Sequence, residues 1–275
     1  MAAEEAACLM IYRSADWYDQ LYPQATLWAE QCFQLAQVHA SYPPGAVLDI
    51  GCGTGHALTR FAREGIECWG VDLLPMMVEA AKIRCPTANI RIGDMGHLEL
   101  GRTFDVVISL GSVFAHALTN DDVRATLDAM AVHTNPGGIL ILEMLNGSAV
   151  LTGVIGPAEL SVRLQKPGVT YRGDASFVID RRRSRMQLTR VWHRNDQIAW
   201  AEQSEIRLMM PLELEGWLDQ AGFNLVAIAD NAAMELSELA GHRLWVVARR
   251  RASKAPSVER TGQIGSSLHP CGSRP

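Results

Sequence analysis

Three glycines at alternate positions in VLDIGCGTG, Gly51, Gly53 and Gly55, follow an apolar run that carries one acid, Asp49. Glycines at such a turn accept positive φ and let a ligand approach the main chain with no Cβ in the way. Two further acids follow, Asp72 in GVDLLPMM and Asp94 in RIGDMG. A carboxylate such as Asp72 at a strand end is placed to accept hydrogen bonds from both hydroxyls of a ribose. Asp94 and the Met95 backbone N–H suit the edge of an adenine, with Met76 or Met77 against its ring face. Three strand ends thus offer polar contacts to one nucleoside. His56 stands where GxGxxG needs its third glycine, which disfavours a pyrophosphate ligand.

A second group follows in SLGSVFAHA, which begins at Ser109. Imidazole titrates near pH 6.5, so His116 suits taking or orienting a proton. Ser112 either touches a ligand or caps the turn, and Phe114 reads as a pocket wall. Glu143, at the end of GGILILEM, either meets a cationic amine or caps a helix. Upstream, WYDQLY gathers Trp17, Tyr18 and Tyr22.

The elements that must hold these residues alternate. AVLDI, ECWGVD, NIRI, FDVVISL and GGILILEM read as strands. Between them, HALTRFARE closed by Gly65, PMMVEAAKIR opened by Pro75, and 121–133 capped by Asn120 read as helices. An earlier helix, PQATLWAEQCFQLAQ, puts Trp28, Cys32, Leu35 and Ala36 on one stripe and stops at YPPG. Such alternation means a parallel sheet covered on both faces, with ligands at the carboxyl ends of its strands. From about Asn146 the rhythm breaks into antiparallel strands, SFVID, MQLTRVWH and IAWAEQSEIRLM, with RNDQ as a hairpin turn and Ile198, Trp200, Ile206 and Leu208 on one face. The helix PLELEGWLDQAG and the strands FNLVAIA and RLWVVAR then resume the first pattern.

Composition narrows the partners. The 275 residues are 48% hydrophobic and 20% charged, ordinary for a globular chain. With 25 basic against 30 acidic residues the net charge is −5, and a nucleic acid gains little from this surface. The six cysteines form no CxxC pair, which reads as reduced thiols in a cytoplasm and no metal site. MAAEEAACLM carries acid where a signal peptide carries base, and no apolar run reaches membrane-spanning length. The RRRSR run, Arg181 to Arg185, reads as a solvated face, with phosphate binding the alternative.

Between residues 47 and 144 the order of these motifs resembles the class I S-adenosylmethionine-dependent methyltransferases. The resemblance implies an α/β, Rossmann-like fold: a seven-stranded, mostly parallel sheet with helices on both faces, plus an antiparallel sheet inserted after the fifth strand. It implies that Gly51, Gly53 and Gly55 bound the methionine part of S-adenosylmethionine, that Asp49 orients its ammonium, Asp72 its ribose and Asp94 its adenine amine. Cys52, Leu73, Met77, Met95 and Leu110 complete the expected cofactor contacts. SLGSVFAHA is similar to a stretch of the glycine N-methyltransferases, with Ser112 where they carry asparagine. WYDQLY is similar to their aromatic N-terminal segment, shared with the N-methyltransferases of nucleotide-linked aminosugars, in which it folds over the active site. Tyr22 and His116 are thereby the expected catalytic pair, and Tyr18, Ser112, Phe114, Glu143 and Asn146 the expected substrate contacts.

Leu145 stands where the glycine enzymes carry an arginine, and the aromatic pair of the aminosugar enzymes is absent. The acceptor expected is therefore another small-molecule amine, of an aminosugar or an amino-acid-derived natural product. An O-methyltransferase, or a non-catalytic S-adenosylmethionine-binding partner, are the alternatives. The organisation expected is a lid segment over 1–44, a cofactor-binding core over 45–145, inserted strands over 146–210 serving as lid and dimer surface, a return to the core over 211–251, and a disordered tail over 252–275. A cytoplasmic homodimer, with no nucleic-acid or membrane partner, completes the expectation.

Overall fold

The computed structural model describes residue 12 and residues 14–252. The acidic start, Cys8, Cys271 and all but the first residue of the expected tail lie outside them. Two helices open the chain, α1 (Ala15–Leu21) and α2 (Ala25–His39). The alternating region follows: β1 (Ala46–Ile50), α3 (His56–Ala62), β2 (Glu67–Asp72), α4 (Pro75–Arg84), β3 (Asn89–Ile92), β4 (Phe104–Ser109), α5 (Asn120–His133) and β5 (Thr134–Leu145). Short helices α6 (Gly147–Leu151) and α7 (Pro157–Leu160) lead to β6 (Val162–Lys166), β7 (Val169–Asp180), β8 (Arg185–Arg194) and β9 (Gln197–Arg207). α8 (Pro211–Gln220), β10 (Phe223–Ala229) and β11 (Arg243–Arg250) complete it.

Seven strands form one sheet in the order β10-β11-β5-β4-β1-β2-β3. The pairs from β5 across to β3 are parallel, while β11 runs antiparallel to both β5 and β10. Every residue of β1 is buried, as a central strand covered on both faces requires. Alternation along the strands feeds two cores. Leu48, Ile50 and Val107 face one side with Leu127, Phe114 and Phe223; Val47, Val106 and Ile108 face the other with Phe33, Phe61 and Cys32. The glycine turn and the β4 end therefore open at one edge, where the strands finish.

The expected helix over 121–133 forms, but its cap is Thr119 rather than Asn120. The Thr119 hydroxyl accepts from Asp122 N at 3.1 Å and the Asp122 carboxylate accepts from Thr119 N at 2.8 Å, a reciprocal box. Asn120 instead accepts from Arg207 at 2.8 Å.

The second sheet, β6-β7-β8-β9, is antiparallel throughout. Asn195 and Asp196, at φ 47° and 66°, make the β8–β9 turn that RNDQ predicts, because a two-residue hairpin needs positive φ at both central positions. One expectation fails here. A register shift opposite Trp192 and His193 pairs Trp200 with Trp192 but Ile198 with His193, so Ile198 leaves the Trp200 face and is 73% exposed. The RRRSR run sits at the β7–β8 turn, where Asp180 accepts from the Arg182 and Arg183 backbones and pairs with the Arg183 side chain. Among the described residues no helix is long and apolar enough to cross a membrane, and no cluster of His, Cys, Asp or Glu could hold a metal ion.

Candidate active site

The glycine turn takes the backbone that its sequence demands. Gly51, Gly53 and Gly55 lie at φ 76°, 52° and 86°. A Cβ on Gly51 would stand 2.4 Å from a Val113 methyl, so the turn and the β4 end fit together only with glycine there. Gly53 N donates to Asp72 Oδ2 at 2.8 Å and Leu74 N to Oδ1 at 3.0 Å, fixing the carboxylate that ends β2. Burial raises the Asp72 pKa, and the backbone donors only partly oppose it.

Asp49 is the unusual group. It is 3% exposed, and its Oδ1 has no hydrogen-bond partner. Burial, and then the nearby Asp72, push its pKa up to about 8. A buried carboxylate that lacks a cation of its own is poised for one brought by a ligand. Asp94, by contrast, is half-exposed; its Oδ1 accepts from Gly96 N at 2.8 Å. Met77 is buried, Met95 and Leu110 are packed against the two cores, and Met76 is exposed. Cys52 is buried with its thiol pushed well up by burial, which makes it a packing residue rather than a nucleophile.

Helix α1 closes this edge. Asp19 accepts from the Thr54 hydroxyl at 2.6 Å and from Arg84 at 2.5 Å, and lies 3.2 Å from His56 Nε2. On its other side, Asp16 pairs with Lys166 at 3.0 Å, and Trp17 packs edge-on against Tyr171 and Trp192 with ring centroids 4.7 and 5.7 Å apart. α1 is thus a strap between the glycine turn and the second sheet. Tyr18 lies 3.8 Å from the position of a Gly53 Cβ, and its ring meets those of Tyr12 and Tyr22 at 5.9 and 4.9 Å. Burial raises all three phenols, and Asp72 adds to the effect at Tyr12 and Tyr18. Two open clefts lie elsewhere on the surface, one lined by Arg124, Asp128, Trp217 and Gln220 and another by Arg163, Arg172, Asn195 and Asp196.

Several expected contacts serve the fold instead. Glu143 is fully buried; its carboxylate accepts from Gly111 N at 2.7 Å and is paired with Arg243, so it already has its cation. The Ser112 hydroxyl accepts from Leu145 N at 2.9 Å and from Arg243 at 3.0 Å, while Ser112 itself turns at φ 67°. Asn146 is fully buried, donates to Leu239 O and Gly241 O at 2.8 Å each, and accepts from Ser148 N. Phe114 is a core residue with no exposed surface, not a pocket wall. Glu143, Ser112 and Asn146 each find a partner from a segment about a hundred residues away, which spacing along the chain does not show.

Residues 47–138 match the family described as methyltransferase domain. A dTDP-4-amino-2,3,4,6-tetradeoxy-D-glucose N,N-dimethyltransferase of Saccharopolyspora spinosa is 36% identical over 47% of this chain and 53% of its own length. A ubiquinone biosynthesis O-methyltransferase of Xanthomonas axonopodis is 30% identical over 58% of this chain and 68% of its own. The chain belongs to the methyltransferase family. It spans about half the length of the Saccharopolyspora relative. Among solved structures, SAM-bound CalS10, an amino pentose methyltransferase from Micromonospora echinaspora, shares its fold with a TM-score of 0.64, at 24% identity over 81% of this chain and 91% of that one.

Within this methyltransferase domain, His116 ends the 3₁₀ turn Val113–His116 and lies by the Glu205 backbone of β9. Its edge is exposed, yet the surrounding protein lowers its pKa from the ordinary imidazole value, against a smaller upward pull from that backbone. The shift favours the neutral ring. Tyr22 caps the C-terminus of α1 beside Arg190, Glu202 and Arg243. Arg190 and Glu202 form a buried pair at 3.4 Å on the inner face of the second sheet, each side chain 6% exposed. Sequence reasoning missed this pair, and Asp19, Tyr12 and Arg243 with it. Asp19, inside WYDQLY, carried the one legible signal, an acid on an otherwise aromatic helical turn.

Proposed function

We propose that this protein is an S-adenosylmethionine-dependent N-methyltransferase acting on the amine of a small molecule, foremost an aminosugar. The observation that carries the reading is Asp49: a buried, partnerless carboxylate beside the glycine turn and Asp72, with Tyr18 of α1 next to Gly53 of that turn. That set fits a ligand with an ammonium, a ribose and little tolerance for solvent. The names of the Saccharopolyspora relative and of CalS10 support the aminosugar and the cofactor.

In this reading Asp49 pairs with the cofactor ammonium, Asp72 takes the ribose hydroxyls and Asp94 the adenine amine. When bound, S-adenosylmethionine supplies a methyl carbon on a sulfonium, whose C–S bond breaks as the acceptor's N–C bond forms. The chain's part is to hold the amine in line, and such positioning accounts for roughly 7–11 kcal/mol in well-oriented reactions. An ammonium must first shed its proton, and neutral His116 is the group that can take it. The Tyr22 phenol orients the amine. α1 excludes water. A cytoplasmic homodimer is part of the same proposal, and the four described cysteines, all free and buried, agree with a reducing compartment.

The Xanthomonas relative favours a second reading, methyl transfer to oxygen. Incubation with methyl-labelled S-adenosylmethionine and a panel of dTDP-linked aminosugars, followed by NMR of the product, separates the two. Label on nitrogen is expected, label on oxygen supports the second reading, and label in neither, with no cofactor binding by calorimetry, overturns both.

A further inference from the structure

Among the described residues, four buried hydrogen-bond donors meet on the inner face of the second sheet without an acceptor: Arg190 Nε and the indole N–H groups of Trp17, Trp192 and Trp200. They are contiguous. Trp17 packs against Trp192, Trp192 stacks on Trp200 at 5.7 Å, and the Arg190 guanidinium lies 5.9 Å from the Trp192 ring. Tyr12 and Tyr22 pack on the same cluster, so it adjoins the tyrosines above the glycine turn. Buried N–H groups in folded proteins are nearly always partnered, and four orphans in one cluster point to acceptors supplied from outside the chain.

The chemistry of that ligand can be narrowed. Arg190 is already neutralised by Glu202 and donates to Leu160 O at 3.1 Å, so the cluster carries no net charge to attract a phosphate or carboxylate. Indole faces suit the C–H faces of a saturated ring, and indole N–H groups can only donate. We propose that Arg190, Trp17, Trp192 and Trp200 form an acceptor subsite for a ring bearing several hydroxyl or ether oxygens. On this account the chain prefers an aminosugar that keeps its ring hydroxyls over one that is extensively deoxygenated, unlike the tetradeoxy sugar in the Saccharopolyspora relative's name. The inference rests on the aminosugar reading for its substrate, and the indole shifts described below read it out without turnover.

The test uses two probes that differ by one ring hydroxyl, dTDP-3-amino-3,6-dideoxyglucose and its 3,4,6-trideoxy analogue. With the full chain, kcat/KM for the hydroxylated sugar is expected to exceed that for the deoxy sugar by at least about tenfold, the scale set by leaving a buried donor unpaired. Arg190→Lys keeps a cation for Glu202, and Trp200→Phe removes only one indole; each is expected to shrink the ratio, while calorimetric affinity for S-adenosylmethionine stays within about twofold. In 15N spectra, the indole signals of the cluster should shift with the hydroxylated probe and move less with its analogue. Equal kcat/KM for the two sugars, or a ratio that neither variant changes, overturns the subsite while leaving the N-methyltransferase reading intact. Indole shifts without methylation of either sugar sustain the subsite and count against that reading. Neither shifts nor methylation overturns the subsite.

Discussion

Asp19 accepts a hydrogen bond from the Thr54 hydroxyl at 2.6 Å, tying the aromatic strap α1 to the glycine turn. The same carboxylate takes Arg84, which also donates to Thr54 O at 2.8 Å. Strap and turn therefore form one hydrogen-bonded unit, with the Tyr18 ring 3.8 Å from the position a Gly53 Cβ would take.

Asp19→Ala is expected to loosen the strap, since hydrogen bonds to charged groups each contribute roughly 1.5–3 kcal/mol. Cofactor release by stopped flow should quicken about tenfold or more, and proteolysis near α1 should speed up. Burial alone would raise the Asp19 pKa, but hydrogen bonds from Arg84 and Thr54 hold it below the ordinary carboxylate value. The latch's contribution is therefore present above that ordinary value and disappears only as pH falls through the lowered one. Release rates that are flat on the acid side of neutrality, down to about pH 5, are the matching profile.

Asp49 carries the opposite sign. Its pKa of about 8 in the folded chain means that the folded state holds a proton which the unfolded state has lost. From the ordinary Asp value of about 3.9 upward, stability falls as pH rises, until the folded pKa is passed. Asp49→Asn removes this dependence, so the variant's melting temperature should gain on wild type as pH rises toward 8. Cofactor affinity should fall at least about tenfold, the loss of one charge-assisted contact. In wild type, calorimetry in buffers of different ionisation enthalpy should show a proton released on binding below pH 8.

Gly51→Ala forces a left-handed residue against Val113. The expected loss is about 2–4 kcal/mol by urea denaturation, conformational cost and overpacking together. Val113→Ala in the same chain removes the two methyls but keeps a Cβ 2.9 Å away, so it should restore only part of the packing share. Full recovery would show that the positive φ costs nothing there.

Arg243→Ala strands Glu143, which is fully buried, and is expected to cost about 3–5 kcal/mol. Glu143→Gln combined with Arg243→Met leaves no buried charge and keeps an acceptor for Gly111 N. The double variant should unfold at higher urea than Arg243→Ala alone; the reverse order would show that the pair itself, not the stranded charge, carries the stability.

The strands β1, β2 and β3 and helix α4 coincide with the sequence reading, since each is a short apolar or periodic run bounded by glycine, proline or polar turns. Asp49, Asp72 and the three glycines were legible for the same reason: one turn joins them, and local chemistry marks it. Thr119 was missed as a cap because Asn120 is as good a capping residue, and only the position of Asp122 relative to the first turn chooses between them. Ile198 was misplaced because a bulge shifts phase without leaving a mark in composition.

What the sequence by itself determined is thus the alternating fold and the glycine turn at its edge, both products of short-range periodicity and backbone freedom. The tertiary structure alone decided which polar groups stay available. Glu143, Ser112 and Asn146 are consumed by Arg243, Leu145, Leu239 and Gly241, while Asp49, Arg190 and three indoles keep unmatched capacity. The physical reason is that a buried polar group is defined by its partner, and these partners come from distant segments that only folding brings together.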